Sequence, residues 1–168
     1  MNYAKILQCD IANGIGWRIT LFVSGCARNC KGCFNKVAQD PNYGKCFDEN
    51  TKNKILKELQ KGYCQGLSLL GGEPLSYLSD NRKTIIDLCK EVKEKFPNKD
   101  IWIWSGYTFD EILNNEEMKD ILNYIDYLVD GPFVESLKDT SLHWKGSTNQ
   151  HVLDINEYRK TGKKVEIN

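Results

Sequence analysis

The sequence has no excess of either charge. Its 23 basic residues are balanced by 23 acidic ones. Nothing in it calls for nucleic acid or an anionic membrane surface as partner. No apolar run reaches the length of a membrane span, and no signal-peptide pattern follows Met1. A cytoplasmic protein is expected. Low-complexity segments, internal repeats and Pro/Ser-rich linkers are also lacking. The 168 residues are therefore read as one domain, 1–168, long enough for a substantial core. Histidine is scarce: His143 and His151 both lie far along the chain.

Cysteine is not scarce. There are 7 in all, an odd number that argues against a disulfide scaffold at this length. Cys9, Cys46, Cys64 and Cys89 read as free thiols, with Cys9, Cys64 and Cys89 expected to be buried packing. The other cysteines fall in one run, Gly25-Cys-Ala-Arg-Asn-Cys-Lys-Gly-Cys-Phe-Asn35. Cys26, Cys30 and Cys33 have the spacing C-x3-C-x2-C, with no fourth cysteine close by. Three thiolates can hold three irons of a [4Fe-4S] cluster. The fourth iron then lacks a protein ligand, and an open metal position is where a substrate binds. The alternatives are three buried thiols or a structural zinc site completed by Cys46. Zinc sites usually show paired C-x2-C units and a full set of four ligands.

The rest of the chain alternates strand and helix signals. Trp17 to Val23 is rich in β-branched and aromatic residues and reads as a strand. Helix signals begin near Asn50 or Thr51, with Ile55, Leu56 and Leu59 on one side and Gly62 at the exit. A short strand follows at Gly66 to Leu70. A second helix spans about Asn81 to Phe96, stopped by Pro97. Asp100 to Trp104 is a third strand. Thr108 and Glu111 have capping-box spacing. Tyr127 to Asp130 is a fourth strand. Leu137 to Gln150 reads as a loop, and His151 to Ile155 and Lys163 to Ile167 as short strands or edges. Trp102 and Trp104 are expected on opposite sides of their strand, one of them in the core.

Such alternation with short loops predicts an α/β fold of parallel βαβ units. Ligands bind beyond the carboxyl ends of strands in such sheets. Four loops fall there: the cysteine run, Gly71-Gly72-Glu73-Pro74, Ser105-Gly106-Tyr107 and Asp130-Gly131-Pro132. Paired glycines let a ligand approach the backbone, and a carboxylate beside them can accept from an ammonium group.

The C-x3-C-x2-C run followed one βα unit later by Gly-Gly-Glu-Pro resembles the radical S-adenosylmethionine superfamily. Further segments are similar to one subfamily, the activating proteins of anaerobic (class III) ribonucleotide reductase. They are Asn13-Gly14-Ile15-Gly16-Trp17-Arg18, Phe22 to Cys26, Cys33-Phe34-Asn35, Trp102-x-Trp104-Ser105-Gly106-Tyr107, Val129 to Phe133, and Lys145-Gly146-Ser147-x-Asn149-Gln150. The similarity spans about residues 3 to 155.

The resemblance implies an incomplete TIM-like barrel of parallel strands with outer helices. It implies one [4Fe-4S] cluster on Cys26, Cys30 and Cys33, with S-adenosylmethionine on the open iron. Glu73 and the Gly71-Gly72 backbone would hold the methionine amino group. Gly32, Cys33 and Phe34 would line the adenosyl side. Ser105 and Gly106 would touch the ribose or methionine part. Asp130 would bind a cation or a ribose hydroxyl, or cap a turn. One electron would cleave the cofactor, and the 5′-deoxyadenosyl radical would take hydrogen from a glycine of the reductase large subunit. A flavodoxin-like protein is the implied electron donor. His151 departs from the usual Arg after Asn149-Gln150, which puts a salt bridge there in question. Two further readings stay open. One is another small radical S-adenosylmethionine enzyme, activating a different glycyl-radical enzyme or modifying a nucleoside. The other is a non-catalytic zinc or iron–sulfur module.

Overall fold

The structure, a computed structural model, describes residues 1–167. Among them, seven strands form one sheet. They are β1 (Asn2–Asp10), β2 (Arg18–Val23), β3 (Lys45–Cys46), β4 (Gly66–Gly71), β5 (Asp100–Trp104), β6 (Tyr127–Asp130) and β7 (His151–Asp154). The order is β3-β1-β2-β4-β5-β6-β7. The expected parallel arrangement holds for β2, β4, β5 and β6. The flanking strands run antiparallel: β1 against β2, β3 against β1, and β7 against β6. The connection at residues 11–17 is too short for a parallel crossover, so β1 and β2 can only be antiparallel neighbours. The fold is thus α/β with an open, mixed sheet.

β1 was not foreseen. Its sequence mixes polar and apolar residues without clean alternation, and its register against β2 slips twice, at Tyr3/Lys5 and Leu7/Asp10. Cys9 lies at the second slip and is exposed, not buried as expected. Cys64 and Cys89 are buried, as the sequence suggested.

Four helices connect or cover the strands: α1 (Glu49–Leu59), α2 (Asn81–Lys95), α3 (Phe109–Leu113) and α4 (Ile155–Thr161). The Asp48 side chain caps α1 by accepting from Thr51 N at 2.8 Å. The Thr108/Glu111 capping box opens α3. α4 takes up Ile155, expected as a strand end, and runs on through residues for which the sequence suggests no element. It stops at Gly162, whose φ of 70° is the left-handed C-cap conformation. Residues 165–167 then return along β7, with Ile167 N donating to Val152 O at 2.8 Å. No helix among the described residues is long and apolar enough to cross a membrane.

The parallel strands have two distinct faces, because successive side chains point to opposite sides. Leu21, Leu69, Ile103 and Leu128 share one face and pack with Ile55 and Ile85 from the helices. Thr20, Ser68 and Trp102 occupy the other face in paired register. There Arg18 is fully buried, donating to Ser68 Oγ at 2.7 Å and Leu67 O at 3.0 Å and pairing with Asp100. Trp102 and Trp104 lie on this same face, contrary to expectation, since residues two apart share a side. Their rings stack at 5.7 Å.

Candidate active site

A cavity of about 370 Å³ opens beyond the carboxyl ends of the parallel strands. Cys26, Cys30 and Cys33 line one wall, and Gly71, Gly72 and Glu73 the next. Ser105 and Gly106 come from the loop after β5. Trp104, Phe133 and Trp144 form an aromatic wall.

The cysteine run is anchored by its backbone. Gly25 N donates to Ala38 O at 2.8 Å, and Cys26 N to Gln39 O at 3.0 Å. The loop after β4 is locked to it: Gly72 N donates to Val23 O at 2.8 Å and Glu73 N to Gly25 O at 3.0 Å. The two glycines allow this approach. A β-carbon on Gly71 would stand 2.6 Å from Val23 O, and one on Gly72 would stand 2.7 Å from Ala38 O. Backbone atoms cannot yield to such contacts. The buried Asn81 Nδ2, at the start of α2, ties both loops together through Ser24 O at 2.7 Å and Glu73 O at 3.3 Å.

Glu73 is 1% exposed. Burial pushes its carboxyl above the ordinary range. Three donors and a nearby cation oppose that shift. Oε1 accepts from Leu75 N at 3.0 Å and Ser105 Oγ at 2.9 Å, and Oε2 from Gly106 N at 2.7 Å. The cation is Arg28, in the cavity wall. Two carboxylate oxygens offer about four acceptor sites, so capacity remains for a ligand donor.

The cavity thus unites Cys26, Cys30, Cys33, Gly71, Gly72 and Glu73 with Ser105 and Gly106. Phe34 reaches its rim while 92% exposed. Gly32 does not line it. Gly32 has a φ of 73° and lies under the Glu135 side chain, which would stand 2.6 Å from a β-carbon there. Asp130 is also outside. It shares the helix-facing parity of Leu128 on β6. Its Oδ2 accepts from Phe109 N at 2.6 Å, at the start of α3, and its Oδ1 meets His151 Nδ1 at 2.9 Å. These contacts are those of a cap. His151 makes the side-chain pairing at the position where Arg is usual.

Several lining residues went unread. Arg28 lies inside the cysteine run, where its sequence position does not distinguish it from a surface cation. Trp144 and Lys145 arrive from the Leu137-to-Gln150 segment, whose polarity reads only as loop, and Phe133 from the turn after β6. That segment is pinned by its own amides: Gln150 Oε1 accepts from Gly146 N at 2.9 Å, and Gln150 Nε2 donates to Gly131 O at 2.9 Å. Asn149 Nδ2 donates to Pro132 O at 2.8 Å. The Lys145-to-Gln150 and Asp130-to-Phe133 segments are therefore one structural unit.

The donor set suits an iron–sulfur cluster. Three half-buried thiols face one cavity, while Cys46 sits exposed on β3 and does not line it. Burial pushes the Cys26 thiol up, and a metal must displace that proton. Among the described residues, no three His, Cys, Asp or Glu side chains are gathered to hold a single metal ion. The fit therefore rests on donor type and on the shared wall.

Comparison with known proteins agrees. A family model described as a 4Fe-4S single cluster domain matches residues 12–153. The anaerobic ribonucleoside-triphosphate reductase-activating protein of Enterobacteria phage T4 is 42% identical over 152 residues, covering 90% of this chain and 93% of that protein. The protein of that name from Pasteurella multocida (strain Pm70) is 42% identical over 160 residues, covering 94% and 100%. That from Escherichia coli (strain K12) is 44% identical over 154 residues, covering 90% and 97%. With residues 12–153 matched by the family model and about nine-tenths of its length by these relatives, the chain belongs to the family of anaerobic ribonucleoside-triphosphate reductase-activating proteins, built on a 4Fe-4S single cluster domain.

Proposed function

We propose that the chain activates an anaerobic ribonucleoside-triphosphate reductase by reductive cleavage of S-adenosylmethionine. The observation that carries this reading is the shared cavity of Cys26, Cys30, Cys33 and the Gly71-Gly72-Glu73 loop. Cys26, Cys30 and Cys33 would hold a [4Fe-4S] cluster, three protein thiolates for four irons. When bound, the cluster supplies one electron that cleaves the sulfonium to methionine and a 5′-deoxyadenosyl radical, which takes a hydrogen atom from a glycine of the reductase large subunit.

The chain's own residues bind, orient and exclude water. Glu73 faces the substrate ammonium with its remaining lone-pair capacity. The Ser105 hydroxyl and the Gly106 N–H keep that carboxylate in one orientation. Trp104, Phe133 and Trp144 present a dry wall against which a reactive carbon radical meets few side-reaction partners. Phe34 and Cys33 border the adenosyl side at the rim, with Gly32 supporting that turn from behind. No side chain needs to serve as general base.

The wider reading is a single radical S-adenosylmethionine domain over residues 1–168. The open sheet is a partial TIM-like barrel whose free side admits a loop of the reductase. The electron donor is flavodoxin-like and the setting cytoplasmic. The test is electron paramagnetic resonance after incubating the anaerobically reconstituted, reduced protein with S-adenosylmethionine and the reductase. A glycyl-radical doublet is expected. Turnover of a small substrate without a doublet on a competent reductase points to another enzyme of the superfamily. One zinc per chain with no iron–sulfur absorbance points to a structural module.

A further inference from the structure

Two cations line the cavity, Arg28 and Lys145. Lys145 is committed to Glu166 at 3.0 Å. Arg28 is held more loosely than the chain's other arginines. Arg18, Arg82 and Arg159 donate to backbone carbonyls of Leu67, Leu75 and Leu122. Arg28 has no such carbonyl among the described residues. Its polar partner is Glu111 Oε1, at 3.5 Å, and the Glu111 side chain is 47% exposed. The guanidinium rests 4.8 Å over the Tyr107 ring. A stretched ion pair to a half-exposed carboxylate and a single cation–π contact hold a side chain only weakly. A ligand can therefore draw Arg28 away at little cost.

Its position relative to Glu73 is specific. Arg28 Nε lies 3.4 Å and Glu73 Oε2 3.3 Å from the point where a β-carbon on Gly106 would stand. A cation and a carboxylate thus flank one glycine, yet Arg28 pairs with Glu111 rather than with Glu73. A free α-amino-acid headgroup carries the complementary charges on a single carbon. A guanidinium fork matches a carboxylate in two parallel hydrogen bonds.

We propose that Arg28 binds the α-carboxylate of an amino-acid headgroup in this cavity, leaving Glu111 to do so, while the Glu73 side receives the ammonium. The proposal rests on the reading above, in which that headgroup belongs to S-adenosylmethionine. Arg28 is then a specificity-determining residue: it distinguishes the amino acid from its decarboxylated amine.

Equilibrium dialysis of the anaerobically reconstituted protein with S-adenosylmethionine and with decarboxylated S-adenosylmethionine tests this. The wild type should prefer the first ligand. Arg28→Ala should shrink that preference by about tenfold or more, the worth of a charged hydrogen bond, through weaker binding of the first ligand only. Arg28→Lys should restore part of it. Iron content and melting temperature establish that each variant is folded and loaded. Glu111→Gln provides a second arm that leaves Arg28 intact and keeps a side chain able to reach the Thr108 N–H. It should tighten the first ligand about two- to fivefold by releasing the guanidinium and leave the second unchanged. A preference that ignores Arg28→Ala, or a Glu111→Gln change shared by both ligands or absent, overturns the proposal. A wild type that binds neither ligand sinks the underlying reading, and the proposal with it.

Discussion

The Ser105 hydroxyl donates to the buried Glu73 carboxylate at 2.9 Å, joining the loop after β5 to the loop after β4. The same hydroxyl accepts from Tyr107 N at 3.1 Å. Ser105→Ala removes one of three donors from a carboxylate that burial already disfavours. It should cost about 1–3 kcal/mol in urea unfolding and weaken S-adenosylmethionine binding in dialysis. Ser105→Thr keeps the hydroxyl and should recover binding. Equal loss in both variants would assign the effect to packing instead.

Single replacement of Cys26, Cys30 or Cys33 by Ala should abolish cluster assembly, read as iron and sulfide content after anaerobic reconstitution. Cys46→Ala should leave the content unchanged, because Cys46 is exposed on β3. Cys89→Ala should change only stability, by about 1 kcal/mol, because Cys89 is packed in the core between helix and sheet. Loss of iron in Cys46→Ala would show a fourth ligand.

Gly72→Ala places a β-carbon 2.7 Å from Ala38 O and 2.9 Å from Gly25 O. Neither backbone can move without shifting the cysteine run. The variant should lose cluster content as well as stability, by about 1–3 kcal/mol of strain or more. Gly162→Ala is the control. Its φ of 70° is unfavourable, but nothing lies within 4 Å, so it should cost about 1–2 kcal/mol and leave the cluster intact. Parallel loss of iron in both would mean that general instability, not the contact, empties the site.

Asp10 supports the loop that carries Asn13 into the cavity. Burial alone would raise its carboxyl. Hydrogen bonds from Asn13, Thr20 and Ala12 outweigh it and hold the group below its ordinary value. Between the two values the unfolded chain binds more protons, so this contribution is present above about pH 4. It is lost as pH falls through the folded value. Asp10→Asn should lower stability at neutral pH by about 1–3 kcal/mol and flatten the decline below pH 4. A decline as steep as in the wild type would place the acid sensitivity elsewhere.

The chain alone makes the candidate ligand run and the central elements legible. The spacing of candidate ligands is local: Cys26, Cys30 and Cys33 lie within one turn-rich run, so they are legible as a donor set without coordinates. The four parallel strands were legible too, since buried strands carry dense β-branched and apolar runs bounded by glycine. Tertiary structure decided what depends on partners distant in the chain. β1 exists because β2 offers it an edge, not because its own residues alternate. Asp130 points away from the cavity because side-chain parity on β6 is set by register with β5. Gly71 and Gly72 are explained by the cysteine run packed against them, a contact that spacing does not reveal. Arg28 faces Glu73 only once the loops after β2, β4 and β5 converge. Which charged groups share a cavity is a non-local fact, and the fold alone supplies it.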